Sequence, residues 1–230
     1  VPFGSLSYYL TIPLVRNDAL ALNLAFSSLI FLVLVSTSSV FFLWYAAEPV
    51  MNLLSMQTLV PYWWLLPVAI FFTGLYELLN SWATREKSFK AIAKSNFLQS
   101  VAGAIVKVSM GFLGFKLFGL LLGQVISQSA GTIILIKIIN GKLKTYKHKI
   151  NKQRILFLLR RYSDYPKYRL PSQFLLVFSV QAPLLFSAWL FGAEVTGQLG
   201  LALMTLALPI ILFGSTAGQS YYGEIAKIGR

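Results

Sequence analysis

Cysteine is absent from the 230 residues, so neither a disulfide nor a thiolate-bound metal is available. Histidine occurs once, as His148 within a run of lysines, and there a solvated loop residue is the simpler reading than a ligand. Acidic residues number only seven, and one of them, Glu77, lies inside a long apolar run. No pair of carboxylates suits general acid–base work, no His/Asp/Glu set suits a metal, and no nucleophilic triad can be assembled. Catalytic residues, a metal and a cofactor are therefore not expected.

Charge of either sign is scarce. Asp, Glu, Lys and Arg make up 12% of the chain and hydrophobic residues 57%, whereas soluble domains carry about 25% charged residues. Mean hydropathy is +0.69 and the sequence pI is near 10.0. A net charge of +13 would suggest nucleic acid in a soluble chain. Here the basic residues cluster between apolar runs, as in the loops on the cytoplasmic face of membrane proteins, so nucleic-acid binding is not expected.

What the chain has instead is uncharged runs of bilayer-spanning length. Ala19–Ala47 is the first, Pro49–Thr58 is too short to return, and "VPYWWLLP" then groups Tyr62, Trp63 and Trp64 as an interfacial aromatic belt. Leu65–Trp82 crosses back. Asn96–Phe115 and Leu117–Ile136 form a pair joined around Gly114 and Lys116, and Leu170–Ala193 and Val195–Tyr222 form a last pair joined near Gly192 and Glu194. Val1–Val15 resembles the tail of a further span, as in a piece of a longer protein. No run alternates strictly, which argues for helices over barrel strands. The expectation is an all-α, polytopic integral membrane protein with six complete transmembrane helices and a partial one.

Assigning the loops alternately to two sides places all of the twenty Lys and Arg residues on one side except Lys107 and Lys116. That side is expected to be cytoplasmic. More than half of the twenty lie in one strap, Lys137–Arg169. Within it, "NKQRILFLLRRY" mixes Arg154, Arg160 and Arg161 with Ile155–Leu159. It suits either a helix in the headgroup plane, in contact with anionic lipids, or an ordinary soluble loop helix.

Polar residues inside the runs are the remaining candidates. Lys107 is either a cavity-lining cation or a snorkelling lysine, whereas Glu77, close to Arg85, favours snorkelling. Gly119, Gly123, Ser127 and Gly131 repeat every fourth residue, a small-residue ridge whose default role is close helix packing. Gln124, Gln128, Gln173 and Gln181 serve either as interhelical hydrogen-bond partners or as the lining of a polar interior. Pro67, Pro183 and Pro209 interrupt spans, as broken transporter helices do.

Three stretches, "YSDYPKYRLPSQFL", "VQAPLLFSAWLFGAEVTGQLGLAL" and "LALPIILFGSTAGQSYYGEIAK", resemble the Wzx-type polysaccharide (O-antigen) flippases of the MOP (multidrug/oligosaccharidyl-lipid/polysaccharide) exporter superfamily. "IPLVRNDALALNLA", "GLYELLNSWATREKSFKAIAKSN" and "GLLLGQVISQSAG" are similar to earlier segments of that family, in order. The resemblance implies a two-lobed inner-membrane transporter with a central cavity, moving an oligosaccharide linked to undecaprenyl diphosphate. It implies that residues 1–136 belong to the first lobe, 137–169 to a cytoplasmic inter-lobe connector, and 170–230 to the start of the second lobe. It leaves room for a coupling ion, H+ or Na+. Lys107, Gln124, Gln128, Gln173 and Gln181 become cavity candidates, and Asp164, Lys167 and Arg169 become a motif at the cytoplasmic mouth. The chain departs from the family at Ser7, Tyr8 and Tyr9, where many members carry Arg-Tyr-Glu, and at Met204, where many carry Arg. Two alternatives are a drug exporter of the same superfamily and a membrane polysaccharide polymerase. The polymerase calls for a long outward loop, and the outward loops expected here are short.

Overall fold

The structure is a computed structural model that describes residues 7–15, 17–53, 57–146 and 151–228. Among the described residues every regular element is helical and no strand occurs. His148 lies outside them.

Helix α1, Asp18–Leu53, is capped by Asn17, whose Oδ1 accepts from the Ala19 N–H at 2.9 Å. It continues through Pro49, so the surface segment expected at 49–58 becomes helix end followed by a 3-10 turn, Gln57–Tyr62. Pro49 lacks the N–H that would bond the Tyr45 carbonyl, so one rung of the ladder is lost near the end of α1. Helix α2, Leu65–Arg85, returns beside α1. Two contacts set their approach. Ser36 donates to the Pro67 carbonyl at 3.2 Å, and Leu32 fills the space where a Cβ on Gly74 would stand.

Within the expected end of a span, 1–15, no α-helix occurs among the described residues. Residues Tyr8–Leu14 form a 3-10 helix, entered through Ser7 at φ 61° and containing Pro13. Arg85, in the last turn of α2, holds it there. Its guanidinium donates to the carbonyls of Ile12, at 3.3 Å, and Val15, and it pairs with Asp18 at 2.7 Å. A cation at the end of α2 thus meets an acid at the start of α1, each placed favourably for its helix dipole.

Helices α3, Phe89–Phe112, and α4, Lys116–Ala130, form a tight antiparallel pair turned at Gly114, whose φ of 82° suits glycine. The expected span 117–136 continues through Gly131, whose backbone stays helical at φ −70° and ψ −26°, into α5, Thr132–Tyr146, and the Ser95 hydroxyl donates to the Gly131 carbonyl at 2.8 Å. The connector is therefore helical over its first residues. It then forms α6, Lys152–Arg161, and a π-helical turn, Tyr165–Arg169.

One buried cluster joins these elements: Ile12 of the 3-10 turn, Leu22 and Leu24 of α1, Trp82 of α2, Leu135 of α5 and Leu158 of α6. Helix α7, Leu170–Ile228, is bent at Gly192, with φ 80° and ψ −179°, a conformation open essentially to glycine alone. The limbs on either side fold back on one another. Thr196 donates to Ser187 at 3.2 Å, and Leu184 lies against Gly200. This is the turn expected near Gly192.

On length and hydropathy, four segments qualify as membrane-spanning among the described residues: Asp18–Asn52, Leu65–Arg85, Leu117–Asn140 and Tyr165–Ala207. The expected span 96–115 is helical but not among them, because Asn96, Gln99, Ser100, Lys107 and Ser109 dilute its apolar content. The expected last pair falls within a single qualifying segment only as far as Ala207, and that segment is bent at Gly192.

Candidate functional site

The small residues of α4 form the seam on which α3 rests. A Cβ on Gly103 would meet Ser127 Cβ at 2.7 Å, one on Gly119 would meet Met110 Cβ at 2.5 Å, and one on Gly123 would overlap the Lys107 stem. Ser127 donates across the seam to the Gln99 carbonyl at 3.0 Å. In lipid no hydrophobic force drives helices together, so such close backbone approach and interhelical hydrogen bonds must do so. The packing role expected for the ridge is what the structure shows.

That approach brings together two of the residues singled out in the sequence. Lys107 Nζ donates to Gln124 Oε1 at 2.9 Å, joining α3 to α4. The stem of the half-buried lysine lies against Gly123, which leaves its ammonium beside the exposed Gln124 amide. The two side chains form one hydrogen-bonded pair. It is a cation with an amide acceptor, able to receive a further anionic or hydroxyl-rich group on its open side. Gln128 follows one turn later on α4, half-buried. Gln173 and Gln181 lie on α7, which continues from the 165–169 turn and makes no substantial contact with α3 or α4 among the described residues. The described structure therefore unites part of the glutamine set and leaves the rest apart.

A second polar locus was not singled out in the sequence. Tyr9, Leu10, Pro13, Glu77, Asn80, Ser81 and Thr84 line a cleft of about 190 Å³ between the 3-10 turn and α2. Glu77 faces this cleft half-buried, where the sequence favoured snorkelling. Ser81 donates to the Tyr9 carbonyl at 2.6 Å, and Asn80 Oδ1 is buried without a hydrogen-bond partner among the described residues. The 3-10 turn lies outside the four span-length segments. Burial first, and then the Glu77 carboxylate, push its Tyr9 phenol up to about 12, against the opposing charge of Arg169. The 77/80/81/84 spacing, one face of a helix, was the legible signal.

Asp164, Lys167 and Arg169 are all exposed. Lys167 Nζ stands 5.1 Å above the Tyr168 ring, a cation–π geometry that fixes it beside its neighbour. Ser7 is buried, and Met204 is exposed on α7. Among the described residues no three His, Asp or Glu side chains gather as a metal site.

A family model described as "Polysaccharide biosynthesis protein" matches residues 14–226. The chain belongs to the polysaccharide biosynthesis protein family. No curated protein and no solved structure matches it. In this polysaccharide biosynthesis protein the matched region takes in the whole α3–α4 seam, the connector and nearly all of α7. Membership and the span-length apolar helices together make it a membrane protein with a role in polysaccharide biosynthesis.

Proposed function

We propose that the protein is a flippase that carries a lipid-linked oligosaccharide, on an undecaprenyl-diphosphate-type carrier, across the bacterial inner membrane for surface polysaccharide assembly. The family match over residues 14–226 of a chain rich in span-length helices carries this reading. No covalent step is needed. Two lobes rock about a cavity and expose it to each side in turn, with the connector 137–169 on the cytoplasmic side as the link between them.

In this scheme the Lys107–Gln124 pair offers one positive charge and one amide to the diphosphate and sugar hydroxyls, while the lipid tail stays in the bilayer. Gln128 extends the polar face, and Gln173 and Gln181 contribute from the second lobe. Arg169 and Lys167 stand at the cytoplasmic mouth, where they meet the incoming head group, with Asp164 beside them. H+ or Na+ is the proposed coupling ion.

Deletion of the gene is expected to abolish surface polymer and to accumulate lipid-linked intermediate, with both defects restored by the intact gene in trans. Normal polymer in a clean deletion refutes the proposal.

A further inference from the structure

Helix α6 is held at the level of a span's end. The Asn151 N–H donates to the buried Asn23 Oδ1 at 3.0 Å, and the Tyr8 hydroxyl donates to the Leu159 carbonyl at 3.2 Å. Asn23 lies five residues beyond Asp18, about 7.5 Å along α1. Leu158 enters the core with 2% of its surface exposed, whereas Leu156 and Phe157 face outward at 51% and 60%. Arg154, Arg160 and Arg161 are exposed around them.

Among the described residues neither Arg160 nor Arg161 has a carboxylate partner, and Asp164 is the only acid between 137 and 169. A solvated loop helix gains nothing from large apolar side chains set open among arginines. A helix in the headgroup layer gains from both, the apolar groups entering the acyl boundary and the guanidinium groups meeting phosphates. The following turn repeats the pattern, with Tyr168 63% exposed beside Lys167.

We propose that the outward face of α6 is a docking surface for anionic phospholipid headgroups, read through Arg160 and Arg161 and anchored by Leu156 and Phe157. This surface selects the lipid around the connector and lies apart from the Lys107–Gln124 seam, so it stands independently of the transport reading. It fixes the connector to the membrane plane.

The test uses the full-length protein in nanodiscs, with Gln153→Cys on the same outward face carrying a fluorophore. This chain has no cysteine of its own, and any elsewhere in the protein is replaced. Doxyl-labelled phosphatidylglycerol and doxyl-labelled phosphatidylcholine are compared as quenchers at equal mole fraction. Enrichment of the anionic lipid at the label is expected, falling about fivefold for each arginine removed, since each contributes roughly the energy of one basic residue at an anionic surface. Arg160→Gln/Arg161→Gln brings the two lipids to equal quenching, and Arg160→Lys/Arg161→Lys keeps the preference. Equal quenching in the unsubstituted protein overturns the proposal. So does quenching by neither lipid, as expected for a face turned to solvent or to a protein partner, and so does loss of preference in the lysine pair.

Discussion

Replacing Gly103 by alanine tests the packing argument within the α3–α4 seam. The new Cβ would stand 2.7 Å from Ser127 Cβ and 2.9 Å from its hydroxyl oxygen. Ordinary carbon contacts begin near ~3.5 Å, so α3 and α4 must part by close to ~1 Å. Such overpacking costs about 1–3 kcal/mol, and it stretches the bond from Ser127 to the Gln99 carbonyl, now 3.0 Å. Alanine is also the better helix former, by about 1 kcal/mol, which offsets part of the loss. The decisive experiment is therefore a double-mutant cycle read by equilibrium unfolding in mixed micelles. Gly103→Ala is expected to destabilise the native protein, and to be neutral or stabilising in a Ser127→Gly background, giving a coupling of about 1–3 kcal/mol. An equal effect of Gly103→Ala in both backgrounds would refute the claim that this seam sets the α3–α4 distance.

Arg85→Ala leaves Asp18 and two carbonyls of the 3-10 turn without their shared donor. With the Arg85 side chain only 10% exposed, a loss of about 3–5 kcal/mol is expected in the same unfolding assay. Gly192→Ala meets no neighbour but forces a side chain into φ 80°, and is expected to cost about 1–3 kcal/mol and to loosen the α7 hairpin, seen as faster amide exchange around residues 187–196. Under the transport proposal, Lys107→Met lowers flipping of a fluorescent lipid-linked glycan in proteoliposomes by about tenfold or more, whereas Lys107→Arg retains most of it. The Tyr9 phenol, raised in the fold to about 12, favours the neutral form. Its contribution is fully present below about pH 10 and lost as pH rises from there through about 12. Tyr9→Phe is expected to remove that segment of the stability–pH profile and leave the profile below pH 9 unchanged.

The helical class and much of the segmentation were legible because lipid imposes one-dimensional rules. Backbone groups must be satisfied within the segment, so an uncharged run of sufficient length becomes a helix wherever it folds. Turns at Gly114 and Gly192 were legible for a related reason: glycine tolerates the positive φ adopted there. The ridge at residues 119, 123, 127 and 131 announced close packing through its spacing alone.

Partnerships between segments distant in sequence were not legible. Nothing in the local pattern couples Arg85 to the carbonyls of Ile12 and Val15, or makes a 3-10 turn of residues 8–14. Lys107 and Gln124 were each ambiguous alone, and their hydrogen bond exists only because Gly123 lets α3 approach. The cleft that Glu77 faces exists only because the 3-10 turn lies beside α2. Composition and periodicity determined that this chain is a helical membrane protein, because solvent acts on every residue independently. Which polar groups meet depends on the register and distance between helices, and the tertiary structure alone decided those.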